Sequence, residues 1–224
     1  MLSLSMRWPR DIKGAMKIQK ILRKKIEIIP LREPLETIAG VDAAFLSDLV
    51  IGVACLYAYP ELTFKEEAIS VTKQFFPYVP GFLSFREGRA IIRAIRGLKK
   101  RPDLIIFDGQ GIAHPTRMGI ATHIGILLGI PTIGCAKSRL IGEYEEPAQK
   151  KGSWSYLWHK GKIIGVVLRT KDRVRPLFVS PGHRTNLKNS IDITLACAKK
   201  YRVPEPLRRA DFVSKEFKRL LSAG

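Results

Sequence analysis

Five consecutive residues, Leu104-Ile105-Ile106-Phe107-Asp108, constrain this fold more than any other stretch. Four apolar side chains without a polar break fit a strand buried on both faces, and the acid followed by Gly109 marks where it ends. A glycine-rich loop comes next, then a helical pattern over Met118–Leu128, then a second short apolar strand, Pro131–Cys135. Strand, helix, strand at this spacing predicts a parallel pair joined by a crossover helix. Such a pair needs cover on both faces, so helices must lie on each side of the sheet.

The remaining segments fit round that unit. Asp11 to about Ile26 carries Ile12, Ala15, Ile18 and Leu22 at helical spacing. Glu36–Phe45, Leu49–Tyr59 and Leu62–Gln74 read as an antiparallel meander. A stiff turn, Pro77-Tyr78-Val79-Pro80-Gly81, leads into a helix from about Phe82 to Lys99. Trp154–His159 and Lys162–Thr170 bracket Lys160-Gly161, a hairpin signal. Pro176–Ser180 reads as a strand closed by a tight turn, Ser180-Pro181-Gly182-His183. Thr185–Lys199 reads as a helix with Asn186 near its cap, and the chain is predicted helical after Pro206. The fold class is therefore α/β, a central mixed β-sheet flanked by helices on both faces, and 224 residues fit a single domain over 1–224.

Other classes are disfavoured. The apolar runs Leu49–Tyr59 and Ile124–Ala136 are shorter than the ~18 residues of a membrane span. The start, MLSLSMRWPR, lacks the apolar core of a signal peptide, so a cytoplasmic protein without membrane partners is expected. Cys55, Cys135 and Cys197 are scattered among apolar residues, which predicts reduced buried thiols and neither a disulfide framework nor a zinc cluster.

The formal net charge is +19. Self-repulsion of that size makes a polyanionic partner the expected one, with nucleic acid ahead of an anionic membrane surface. In so basic a chain, acids among apolar residues stand out. Asp42 lies in Ile38-Ala39-Gly40-Val41-Asp42-Ala43-Ala44-Phe45, where an unpaired carboxylate costs several kcal/mol. Glu87 lies on the apolar face of its helix, opposite a stripe of Arg86, Arg89, Arg93, Arg96 and Lys100. Asp108 ends a buried strand, where open α/β sheets bind ligands. Singly, each has a plainer reading: a strand-end acid, a structural ion pair, an Asp-Gly turn. Together, three inward carboxylates would repel one another without a cation. Oxygen ligands with no Cys or His set favour Mg²⁺, with Mn²⁺ as a substitute, and a nuclease-like phosphodiester chemistry.

Two loops flank those acids. Asp108-Gly109-Gln110-Gly111-Ile112-Ala113-His114-Pro115 could bring backbone amides to a base edge. His114 is either a phosphate contact or structural, whereas His123 is expected to pack within the following helix. Tyr78, held between Pro77 and Pro80, is either a wedge that unstacks a duplex or a packed turn residue. Lys137 falls just past the second parallel strand, near the edge that carries Asp108.

These blocks, in order, resemble the endonuclease V family, inosine-directed nucleases of nucleic-acid repair. The resemblance rests on Ala39-Gly40-Val41-Asp42, Phe76-Pro77-Tyr78-Val79-Pro80-Gly81, Phe85-Arg86-Glu87-Gly88 and Phe107-Asp108-Gly109-Gln110-Gly111 through His114-Pro115. It continues in Gly119-Ile120-Ala121, Ala136-Lys137-Ser138-Arg139-Leu140, Val179-Ser180-Pro181-Gly182-His183 and Pro204-Glu205-Pro206. It implies a ribonuclease H-like fold. Asp42 and Asp108 would bind Mg²⁺, and Glu87 would bind a second metal or orient water. Asp211 falls where the family carries His or Asp near the metal, so it joins Glu87 as a candidate second-metal ligand. Tyr78, with Pro77 and Pro80, would be the wedge. Gly81, Leu83, Gly109, Gly111, Gly119 and Ile120 would form the hypoxanthine pocket, with His114 and Lys137 supporting the phosphate or water. The implied reaction cuts the second phosphodiester bond 3′ to deoxyinosine in DNA, leaving 3′-hydroxyl and 5′-phosphate ends. Inosine RNA is a second candidate substrate and a monomer the expected state. The rivals are a structure-specific nuclease without base preference and a non-catalytic nucleic-acid-binding protein.

Overall fold

The computed structural model describes residues 8–32 and 34–223. Residues 1–7, within the stretch read for a leader, lie outside that range. One eight-stranded sheet organises the chain, with strand order β3-β2-β1-β4-β5-β8-β7-β6. Its first three strands, β1 (Thr37–Leu46), β2 (Leu49–Ala58) and β3 (Phe64–Lys73), form the predicted antiparallel meander. The next two, β4 (Leu104–Phe107) and β5 (Thr132–Ala136), are parallel to each other, and β4 is parallel to β1. The far edge is antiparallel, through β6 (Trp154–His159), β7 (Lys162–Leu168) and β8 (Leu177–His183). Between β6 and β7, Lys160 (φ 50°) and Gly161 (φ 71°) both turn left-handed, as a two-residue hairpin requires.

Alternation along the strands divides the core. Ala39, Val41, Ile105 and Phe107 meet Ile91, Ile95, Ile120 and Ile124 of helices α2 (Leu83–Gly97) and α3 (Ile120–Leu128). On the other face, Ile38, Leu104, Ile106 and Ile133 meet helix α4 (Leu187–Cys197) and Leu207 of helix α5 (Glu205–Ala223). Ile51, Val53 and Cys55 extend that face against Ala210 and Val213 of α5. Helix α1 (Ile12–Leu22) is capped by Asp11 and buries Ala15, Gln19 and Leu22, while its Ile12 stays exposed. The chain between α1 and β1 includes one 3₁₀ turn, Arg23–Lys25.

Two expectations need correction. Ser180-Pro181-Gly182-His183 is not a turn; it is the second half of β8, paired with β5. Pro181 is tolerated there because the register shifts between Thr132 and Ile133, and its carbonyl accepts the Ile112 N–H outside the ladder. The helix expected from Met118 starts at Ile120, because Gly119 is the extended residue at its cap. The cysteines are free and buried, as read.

Candidate active site

The β1–β4 ladder ends at the pair Val41–Phe107, and the next residue on each strand is an aspartate. Parallel register thus sets Asp42 beside Asp108 at the carboxyl end of the sheet, both on the face covered by α5. That helix can come close because residue 40 is glycine. A Cβ there would lie 2.2 Å from the Pro206 carbonyl carbon and 2.5 Å from the Leu207 nitrogen. One helical turn onward, α5 delivers Asp211. Carboxylate oxygens of Asp42, Asp108 and Asp211 all lie within 4.8 Å of one another.

The charge in this cluster is unevenly balanced: Asp211 and Asp108 have lysine partners, and Asp42 has none among the described residues. Burial, then repulsion from Asp108 and Asp211, raises Asp42 to about 6, although the Ser214 hydroxyl donates to it at 2.7 Å. Glu87 comes from α2 on the opposite face of the sheet. Burial and the negative charge of Asp42 push it up to about 8. It is therefore coupled electrostatically to Asp42 and Asp108 but is not part of the compact group of three. Lys137 supplies the local cation, with Nζ 2.5 Å from Asp108 and 3.5 Å from Asp211. Burial pulls its ammonium down, but bonding to Asp108 and the aspartate charges outweigh that and raise it. Asp211 stays below the usual carboxylate range, because Lys215 and Lys137 overcome the effect of burial.

A cavity of about 420 Å³ opens beside this cluster, and Asp108 and Lys137 belong to both. Val79, Pro80, Gly81 and Leu83 form one wall, and Gly109, Gln110, Gly119 and Ile120 another. Five of the six residues expected in a base pocket line it. Gly111 does not: it is packed against Ser180 and Pro181 of β8, where a Cβ would meet the Pro181 carbonyl oxygen at 2.1 Å. Its N–H receives the Ser180 hydroxyl as acceptor at 2.9 Å, so it supports the loop from beneath.

Tyr78 stands at the mouth, 68% exposed, with Pro77 and Pro80 exposed on either side. The Arg86 guanidinium is 5.4 Å from its ring centroid and 4.0 Å from that of Phe45, and is tied to Gln74. His114 is not turned to the acids. Its Nε2 lies 3.0 Å from the Gly81 carbonyl, and its Nδ1 accepts the Thr116 N–H at 3.2 Å. A carbonyl only accepts, so Nε2 carries the proton and the ring is neutral. Burial, partly offset by that bond to Gly81, lowers this imidazole to about 4. Gly81 has φ +83°, a left-handed turn held by His114 and by Gln19, whose amide also donates to its carbonyl. His123 packs inside α3 as expected, 2.8 Å from Ser84 and stacked on Trp8.

Sequence reading missed Ser214 and Gly40 as site-building residues, and left Asp211 without a definite place. Asp211, Ser214 and Lys215 stand at helical spacing, but only the approach of α5 to β1 reveals what they face.

The acids suit a hard divalent cation. Oxygens around one Mg²⁺ are ~3–4 Å apart; those of the three aspartates all lie within 4.8 Å of one another, and an ammonium already bridges two of the carboxylates. A mixed sheet with helices on both faces, in this strand order and with this crossover, is a ribonuclease H-like α/β fold, and it carries a carboxylate cluster at the ends of its central strands. The model of the endonuclease V family matches residues 20–212. The endonuclease V of Dictyoglomus turgidum is 49% identical over 206 residues, 92% of this chain and 90% of that protein. That of Geotalea uraniireducens is 47% identical, covering 96% and 92%. The crystal structure of Streptomyces avermitilis endonuclease V superposes with TM-score 0.92 at 38% identity, covering 96% of both chains. Ciona intestinalis endonuclease V, 26% identical over 93% of this chain and 98% of that one, has TM-score 0.80. Its structure holds a 24mer DNA containing an inosine followed by a ribo-adenosine. The chain belongs to the endonuclease V family. Among the described residues, no helix is long and apolar enough to cross a membrane.

Proposed function

We propose that this chain is a Mg²⁺-dependent endonuclease that recognises deoxyinosine and cuts the second phosphodiester bond 3′ to it, leaving 3′-hydroxyl and 5′-phosphate ends. One observation carries the reading: the cavity and the acid cluster share Asp108 and Lys137. A base seated in the cavity leaves the strand's phosphates beside the carboxylates. Asp42 and Asp108 would hold the metal; Asp211, in their compact group, would reach a second, and Glu87, from the opposite face of the sheet, would bind that second metal or orient water. When bound, Mg²⁺ supplies Lewis acidity to a phosphoryl oxygen and lowers the pKa of a coordinated water. Mn²⁺ would substitute.

The protein's own groups do the rest. Tyr78, stiffened by Pro77 and Pro80, fills the space left by the extruded base. Gly81, Leu83, Gly109, Gly119 and Ile120 shape the pocket that takes it. Lys137 exchanges its carboxylate partners for the phosphate. Ser214 keeps the Asp42 carboxylate aimed. His114 acts as a positioning residue for Gly81. The reading takes the chain as one domain, working as a cytoplasmic monomer.

The test is nicking of a labelled duplex bearing one deoxyinosine, with and without Mg²⁺, by the wild type and Asp42→Ala. Metal-dependent nicking confined to the wild type is expected. No nick by either protein favours a binding module, and equal nicking of undamaged duplex favours a structure-specific nuclease. A parallel arm with inosine RNA compares the second substrate.

A further inference from the structure

At the end of the sheet opposite the acids lies a concave basin of about 830 Å³. It is formed where the chain enters β4 and β5: Leu98, Lys99 and Arg101 precede β4, and Leu128, Gly129 and Ile130 precede β5. Its lining holds Lys25, Arg96, Lys99, Arg101 and Arg184 against a single acid, Glu27. Glu27 is already paired with Arg184, and Arg101 donates to the carbonyls of Leu128 and Gly129. Lys25, Arg96 and Lys99 form no side-chain ion pair among the described residues. Nothing in the acid cluster or the cavity beside it explains this concentration of charge.

Helix α2 connects the two ends. Its first turns carry Arg86 and Glu87 at the cleft, and its last turn carries Arg96 at the basin. Arg89 and Arg93 lie between them, and Arg93 and Arg96 are exposed. From Arg86 to Arg96 the helix rises ~15 Å, about the length of four to five base pairs.

We propose that the basin is a second, non-catalytic site for nucleic-acid backbone phosphates, reached along the arginine stripe of α2 by the duplex arm that extends from the cleft. The occupant follows from charge complementarity: a concave surface with several free cations fits a run of phosphates. The inference rests on nucleic acid being the substrate class.

The test uses the intact protein and undamaged duplexes, so it does not depend on inosine cleavage. Affinity is measured by fluorescence anisotropy against salt for duplexes of roughly 30 and 8 base pairs, for wild type and Arg93→Gln/Arg96→Gln/Lys99→Gln. Each lost phosphate contact removes about 0.9 from the slope of log K against log salt. The triple variant is therefore expected to lower the slope on the long duplex by about 2 to 3. It should lower the slope on the short duplex by less. Arg93→Lys/Arg96→Lys/Lys99→Arg, which keeps the charges, should restore the slope and control for misfolding. An unchanged slope on the long duplex overturns the proposal. So does saturable binding of inorganic phosphate that the triple variant abolishes while the duplex slope stays the same, which would assign the basin to a small anion.

Discussion

Ser214 shows how one hydroxyl sets the state of a carboxylate. It is buried and donates to Asp42, opposing the burial and repulsion that raise that acid to about 6. Removing it in Ser214→Ala should destabilise the fold by about 1.5–3 kcal/mol, as for a lost bond to a charged group. It should also move the acid limb of the nicking profile to higher pH, since Asp42 then holds its proton more tightly; an unmoved limb would detach Ser214 from the site. Tyr78 answers to a different readout. Stacking a base on an aromatic ring is worth about 1–3 kcal/mol, so Tyr78→Ala should weaken binding of a deoxyinosine duplex roughly ten-fold or more. Its divalent-ion affinity should match the wild type in calorimetric titration. Asp42 and Asp108 were legible in the sequence because an acid inside an apolar run is costly. Asp211 was harder, because among Arg208, Arg209 and Lys215 it reads like any solvated helix acid until the helix is docked.

Among the elements, the spacing of β1 and α5 decides whether the acids meet. Gly40→Ala would force α5 outward, since the backbone of Pro206 and Leu207 occupies the place of the new methyl. Overpacking of this kind costs about 1–3 kcal/mol, and each kcal/mol lowers the melting temperature of a chain this size by ~2–4 °C. The expected variant is folded, melts several degrees lower, and nicks poorly at ordinary Mg²⁺ with partial recovery at higher metal. Recovery of full activity at ordinary metal would show that α5 tolerates the shift. The meander, the crossover unit and the hairpin were readable because each has a local signal: alternation, a short apolar run, a two-residue turn. Strand β8 was cut short because Pro181 and Gly182 carry the local marks of a turn. Only pairing with β5 and a register shift make them strand. Gly111 was assigned to the pocket by the family resemblance, whereas β8 fixes it behind the wall.

The molecule as a whole must stay folded with a net charge of +19 and with histidines buried away from water. Burial lowers His123 to about 3 from an ordinary 6.5. The unfolded chain therefore takes up a proton below about 6.5 that the native His123 refuses until about 3. Stability contributed by the neutral ring is present above that window and is lost as pH falls through it, at ~1.4 kcal/mol per pH unit. His123→Gln should flatten the decline of melting temperature between pH 6.5 and 4 relative to wild type. Identical slopes would mean the ring is solvated in the folded protein. The charge itself announced a polyanion from composition alone, but its distribution along α2 and into the basin at the far end needed the fold.

The central claim is that Asp42 and Asp108 converge in order to hold a divalent ion beside a base-sized cavity. A crystal grown with Mn²⁺ and examined by anomalous scattering tests it most directly. The account predicts a peak bonded to both carboxylates at ~2.0–2.2 Å, with Lys137 withdrawn from Asp108. Anomalous density elsewhere, or none in a preparation that still nicks deoxyinosine duplex, would contradict it.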